Sequence, residues 1–325
     1  MNSPNNILIL SSGGDAPGMN AAMRSVVRSA IQRGMSVFGA TGGYDGVLDN
    51  AIHPLHADSV ANCLQLGGTQ LRTTRSRRFL ERDARQKAAS ILTDLQIDAL
   101  VVLGGNGSLS GAALLHEESG IPVIGIPCTI DNDIVGTDEC VGFDTACNTA
   151  LDAIDKIRDT ALSLERGFII EVMGRSSGFL AAHVGMAGGA EVIITPEFPL
   201  SVDDIVGQLA NKKRNKLTSI IVAAEADQPG WTINLAEQLN ERTTLNYRSC
   251  ILGHIQRGGK PTAHDRVLAT RMGHEVIEAL YGGQTQGMIG VIDNQLALHP
   301  FPPKNSTRKL ATADFLTINA AVSQC

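Results

Sequence analysis

No apolar run in this 325-residue chain approaches the roughly 20 residues that a helix needs to cross a bilayer, so no membrane span is expected. Cysteine is sparse: six residues, at 63, 128, 140, 147, 250 and 325, form no CxxC pair and no metal spacing, and read as the reduced thiols of a cytosol. Positive charge is not in excess, since 27 Lys and Arg face 33 Asp and Glu; the net charge of −6 disfavours a nucleic-acid partner. The first six residues lack the basic region and apolar core of a secretory leader, and a cytoplasmic location is expected. Neither a Walker A sequence nor a G-x-G-x-x-G fingerprint occurs, which sets aside a P-loop kinase and a dinucleotide oxidoreductase.

Glycine is what the chain has in surplus. The 34 glycines are about 10.5% of the residues, against a usual share near 7%. No collagen-like period accounts for them, and an apolar content of 43% is ample for buried cores. Short apolar runs at 7–10, 37–41, 99–103, 123–126, 168–173, 192–195, 219–223 and 288–292 read as strands. Helical spacing separates many of them. Met19, Ala22, Met23, Val26, Val27, Ala30 and Ile31 are expected to share one face, and further helices are expected over 144–164 and 263–280. The alternation predicts an α/β fold with mainly parallel sheets flanked by helices, and the length allows two domains or three, although periodicity alone does not say where one sheet stops and the next begins. In such sheets ligands bind beyond the carboxyl ends of the strands.

Three loops follow predicted strands directly. Ser11-Ser12-Gly13-Gly14-Asp15-Ala16-Pro17-Gly18 opens a helix, and its free N–H groups suit an anion; a tight structural turn explains it about as well. Gly104-Gly105-Asn106-Gly107-Ser108 is the second. The third, Pro127-Cys128-Thr129-Ile130-Asp131-Asn132-Asp133, carries two carboxylates two residues apart, suited to a base and a Mg²⁺ ligand or to a mere Asx-turn. Three such loops at successive strand ends would converge on one crevice.

Together with Glu171-Val172-Met173-Gly174-Arg175 and Gly253-His254-Ile255-Gln256-Arg257-Gly258-Gly259, these loops resemble the ATP-dependent 6-phosphofructokinases of bacterial type, from about residue 7 to about 296. The resemblance implies the phosphofructokinase fold, MgATP as phosphoryl donor and fructose 6-phosphate as acceptor, with fructose 1,6-bisphosphate and ADP as products. It makes Asp131 the general base, with Thr129, Arg75 and Arg175 as its catalytic companions. Arg166, Arg248, His254 and Arg257 match the pocket for the sugar's 6-phosphate, and Met173, Gly174 and Glu225 match contacts to the sugar. Gly14, Tyr44, Arg75, Gly107 and Ser108 match the ATP side, and Asn106 and Asp133 the Mg²⁺ site. Gly107 and Cys128 point to ATP, because pyrophosphate-using relatives carry Asp and Lys there.

The family's architecture implies discontinuous domains: 1–142 with 256–305 for ATP, and 143–255 with 306–325 for the sugar phosphate. It also implies a homotetramer whose active sites are shared, with Arg166 and Arg248 donated by a neighbouring subunit. Arg24, Arg28, Arg158, Glu191, Arg214 and Lys216 match an allosteric effector site between subunits. The loop 56–62 departs from the family there, so effector control is expected to be weak or altered. Asn106 stands where the family usually has Asp, which predicts a raised Mg²⁺ requirement. The alternatives are a kinase of another sugar phosphate, such as sedoheptulose 7-phosphate, an NAD kinase, and a weakly active regulatory paralogue.

Overall fold

A computed structural model describes residues 3–210, 218–303 and 308–323. In chain order the elements begin with β1 (Asn6–Ser12), α1 (Met19–Gln32), β2 (Ser36–Ala40), α2 (Gly43–Leu48) and β3 (Ile52–Leu55). There follow α3 (Arg82–Asp94), β4 (Ala99–Gly104), α4 (Asn106–Ser119), β5 (Val123–Pro127) and α5 (Phe143–Leu164). Next come β6 (Arg166–Val172), α6 (Phe179–Ala187), β7 (Val192–Ile194), α7 (Val202–Ala210), β8 (Ser219–Ala224), α8 (Trp231–Arg242) and β9 (Asn246–Ile251). The chain closes with α9 (Ala263–Tyr281), β10 (Gln286–Ile292), β11 (Gln295–His299) and α10 (Ala313–Ser323).

Contacts divide the chain into two units. The first holds Met1–Thr129, Ile134–Thr145 and Arg257–Thr307; the second holds Ile130–Asp133, Ala146–Gln256 and Arg308–Cys325. Residues 130–133 thus group with the second unit, whereas the family pattern implied the first.

The first unit is built on a seven-stranded sheet in the order β11-β10-β5-β4-β1-β2-β3. Its interior strands are parallel, and only the edges β3 and β11 run antiparallel. Ile7, Leu8, Ile9 and Leu10 are all 0% exposed, as a strand covered by helices on both faces requires. On one face Leu8, Leu10, Leu100 and Val102 pack against Tyr44, Phe79, Leu92 and Leu115. Elsewhere α1 lies along α9. Gly273 permits the close crossing, because a Cβ there would come within 2.7 Å of the Ala22 carbonyl oxygen. The second unit is a four-stranded, wholly parallel sheet in the order β7-β8-β6-β9. Ile169, Ile194 and Ile221 form its core with Leu235 and Leu239 of α8.

The strands expected from apolar runs all exist. The three without such a run are β3, β9 and β11, which lie at sheet edges where one side has no neighbour to bury it. Pro54 fits β3 only because that strand is an edge.

Candidate functional site

In the first unit β2 pairs with one side of β1 and β4 with the other, so the connections part at the carboxyl end of β1. Such a switch point opens a crevice there. Register brings the three loops together: Ser12 pairs with Gly104, and Gly104 with Pro127. Gly104 must be glycine, since a Cβ would lie 2.6 Å from the Ser12 carbonyl oxygen. Gly107 is different. A Cβ there meets nothing within 4 Å, and its φ is not positive, so neither packing nor backbone demands glycine. Asn106, Gly107 and Ser108 form the first turn of α4, which contains no acidic residue. The free N–H groups of such a turn, with the helix dipole behind them, suit an anion. Thr129 follows β5, its amide donating to the Val141 carbonyl at 3.1 Å.

Beside this crevice runs the segment 72–80. Arg75 is exposed and makes no hydrogen bond or ion pair among the described residues. Its neighbours, by contrast, are tied down. The Gly13 amide donates to the Thr74 carbonyl at 3.0 Å, and the Thr73 hydroxyl donates to the Gly13 carbonyl at 2.9 Å. Arg257 packs its guanidinium against the α-carbon of Gly14 and approaches the Asp15 carboxylate at 4.0 Å, leaving its Nε buried without a partner. Arg257 thus lies beside the first loop and groups with the first unit.

Tyr44, expected on the nucleotide side, is enclosed. It is 3% exposed, stacks on Phe79 at 3.8 Å, and donates its hydroxyl to the Ser108 carbonyl at 2.6 Å. Burial drives its phenol far above the ordinary range. Its hydroxyl thus supports the first turn of α4. Cys128 is 1% exposed, and burial raises its thiol well above the usual value, so the end of β5 is uncharged there at neutral pH.

In the second unit the expected sugar contacts gather at the carboxyl ends of β6, β8 and β9. The Arg175 amide donates to the Glu225 carboxylate at 3.1 Å, and the Met173 amide to the Gln256 side-chain oxygen at 2.8 Å. Gln256 is wholly buried and was not singled out by sequence, although its place between His254 and Arg257 was the signal available. Gly174 has a φ of 132° and Arg175 one of 55°, a left-handed turn that swings the exposed Arg175 side chain off the strand. Arg166 lies at the opposite end of β6, about 23 Å from Met173 at roughly 3.3 Å per residue. Arg248, paired in register with Phe168, is exposed and also set back from that end, while His254 is exposed beyond it.

Asp131 and Asp133 flank Asn132, whose φ of 51° turns the chain. The Ser177 hydroxyl donates to the Asp131 carbonyl at 3.1 Å. Asp133 is 5% exposed and has the Arg308 guanidinium 3.5 Å from its carboxylate, while the Lys309 amide donates to its carbonyl at 3.1 Å. Arg308 belongs to the C-terminal stretch that the sequence motifs left without a role. Among the described residues no group of three His, Cys, Asp or Glu could hold a metal alone. Asn106 in the first unit and Asp133 in the second each carry the kind of hard oxygen donor that Mg²⁺ takes.

Of the expected effector residues, Arg158 directs its guanidinium to the Gly188 carbonyl. Glu191 is 6% exposed and accepts the Ile220 amide at 2.6 Å. Arg24 and Arg28 lie on α1 in the first unit. Arg214 and Lys216 fall outside the described residues.

Comparison with known proteins accords with these arrangements. Residues 6–280 match the family described as phosphofructokinase. An ATP-dependent 6-phosphofructokinase of Coxiella burnetii is 55% identical over 314 residues, 96% of each chain. ATP-dependent 6-phosphofructokinase 1 of Thermus thermophilus is 49% identical over 302 residues, covering 93% of this chain and 94% of that one. Phosphofructokinase from Saccharomyces cerevisiae superposes with a TM-score of 0.84 at 32% identity; 98% of this chain is covered, but only 46% of the yeast chain. A pyrophosphate-dependent phosphofructokinase from Marinobacter aquaeolei shares the fold, with a TM-score of 0.83 at 23% identity and coverage of 97% and 88%.

Proposed function

The chain belongs to the phosphofructokinase family, and we propose that it transfers the γ-phosphoryl group of ATP to the 1-hydroxyl of fructose 6-phosphate, a glycolytic kinase reaction. The observation that carries the donor assignment is Gly107, a glycine that the fold does not require, in the acid-free first turn of α4. The room it leaves suits the α-phosphate of a nucleotide, and the neutral Cys128 supplies no charge for pyrophosphate.

Phosphoryl transfer asks for a placed nucleophile, an oriented donor and cations on the developing charge. Asp131 takes the proton of the 1-hydroxyl as the sugar oxygen forms its bond to the γ-phosphorus and the bond to the ADP oxygen breaks. Arg75 and Arg175, both exposed, bring guanidinium donors to the moving group, aided by the Thr129 hydroxyl. Asn106 and Asp133 would hold Mg²⁺, which supplies charge neutralisation on the phosphates when bound. Gly14 and Ser108 line the nucleotide side; Met173, Gly174 and Glu225 hold the sugar; Arg166, Arg248, His254 and Arg257 bind its 6-phosphate. The distance of Arg166 from Met173 within one chain supports its serving a neighbouring subunit, and hence a homotetramer with shared sites. No described helix is long and apolar enough to cross a membrane; a cytoplasmic enzyme is proposed.

The test offers purified protein and Mg²⁺ with ATP or pyrophosphate against fructose 6-phosphate, sedoheptulose 7-phosphate or NAD. Fructose 1,6-bisphosphate formed with ATP alone is the expected product. Turnover of sedoheptulose 7-phosphate in preference would reassign the acceptor, and no product in any pairing would sink the assignment.

A further inference from the structure

The segment that carries Arg75 has no regular structure of its own, yet catalysis by a guanidinium depends on where it is held. A misplacement of about 1 Å can cost roughly a hundredfold in rate. Besides the bonds of Thr73 and Thr74 to Gly13, a carboxylate on α2 holds this segment. Asp45 accepts the Ser76 hydroxyl on Oδ1 at 2.6 Å and the Thr74 hydroxyl on Oδ2 at 3.2 Å, so its two oxygens grip the residues on either side of Arg75. The single Thr74 hydroxyl proton is shared with the Gly42 carbonyl, the nearer acceptor at 2.8 Å, so the Ser76 bond is the firmer of the two grips; the Ser76 oxygen in turn accepts the Phe79 amide at 3.1 Å. Arg78 reaches Asp49 at 2.8 Å and stands 3.8 Å from Asp45, so the cation nearest the clamp is engaged by a second carboxylate. Arg75, like Arg72 and Arg77, is exposed with its donors uncommitted among the described residues.

We propose that Asp45 is a positioning residue for phosphoryl transfer: by clamping Thr74 and Ser76 it sets the direction in which Arg75 leaves the chain. The inference rests on the role assigned above to Arg75. It explains why an acid stands in the first turn of α2 with both oxygens turned to a neighbouring segment instead of to its own helix. Arg75 keeps its charge without the clamp, but its side chain then samples many directions, and the transition state loses an oriented donor pair. Hydrogen bonds to a charged acceptor are stronger than neutral ones, so loss of both should be felt.

The experiment is a double-mutant cycle on the full chain, measuring kcat and both KM values with ATP and fructose 6-phosphate. Asp45→Ala is expected to lower kcat/KM by about 30- to 100-fold in the native background and by less than about twofold in an Arg75→Ala background. Ser76→Ala, which leaves Asp45 in place and removes one grip, should show a smaller loss with the same dependence on Arg75, and it carries the test if Asp45→Ala does not fold. Asp45→Asn retains one oxygen and should restore part of the rate. If the Asp45 and Ser76 substitutions cost as much without Arg75 as with it, Asp45 serves the fold alone and the proposal falls. If Arg75→Ala by itself leaves the rate unchanged, the role of Arg75 is the part that was wrong.

Discussion

Gly107 offers a perturbation whose effects on folding and on activity should have opposite signs. In Gly107→Asp the new side chain meets no atom within 4 Å at its Cβ, and the backbone needs no left-handed φ, so the substitution introduces neither clash nor strain. It places an acid in the first turn of α4, which has none. Helix propensity improves by a few tenths of a kcal/mol over glycine. Interaction with the helix dipole adds about 0.3–1 kcal/mol. Melting temperature should therefore rise, by about 2 °C at the size of these units. Toward a nucleotide the effect reverses. A carboxylate about 5 Å from a phosphate charge, at an effective dielectric near 20, is repelled by roughly 3 kcal/mol. That amounts to about two orders of magnitude in kcat/KM for ATP. Gly107→Ala is the uncharged control and should keep ATP efficiency within about threefold. Thermal melting and steady-state kinetics on the three proteins decide the matter. Retention of ATP efficiency by Gly107→Asp, or a loss of stability alongside activity, would refute the reasoning.

Asn106→Asp should lower the Mg²⁺ concentration for half-maximal activity several-fold, because an amide oxygen is replaced by a charged one; a Mg²⁺ titration showing no shift would make the position unimportant. Tyr44→Phe removes a buried hydroxyl that donates to Ser108. It should cost about 1 kcal/mol in denaturant unfolding, and raise KM for ATP while leaving that for fructose 6-phosphate unchanged. Equal effects on both substrates would contradict its placement behind the first turn of α4. His264 contacts Glu139 at 2.6 Å; burial pulls its pKa down, but the hydrogen bond and charge of Glu139 outweigh that and leave it raised. A raised histidine pKa adds stability that is complete below about pH 6.5, the ordinary value, and is lost as pH rises through the folded value. Both side chains are about half exposed, so the contribution is below about 1 kcal/mol. His264→Gln should narrow the melting difference between pH 6 and pH 8.5, and an identical difference in both proteins would count against the pair.

Much of the site was legible before the fold. Gly13, Gly104 and the Thr129–Asp133 stretch stand out because each follows an apolar run directly, and strand ends are where backbone groups lie open to a ligand. Asp45 and Gln256 were not legible. Asp45 sits among glycines in a short helix, and only the approach of residues 74–76, some thirty positions later, gives its carboxylate a task. Gln256 reads as one polar residue in a motif until the structure shows its amide sealed beneath Met173. Tyr44 was placed on the nucleotide side by the family resemblance alone, and the structure stacks its ring on Phe79.

The sequence by itself determined the interior strands and the longest helices, and which chemical groups stand at their ends. Those properties follow from periodicity over a few residues, and neighbours along the chain suffice to set them. The tertiary structure alone decided that β4 lies beside β1 on the side away from β2, so that loops at 13 and 104 become neighbours. It also decided that α2 clamps the Arg75 segment and that residues 130–133 leave the first unit. The reason is that strand order depends on how two faces of a sheet are covered at once. That is a property of surfaces assembled from distant parts of the chain, and no local pattern encodes it.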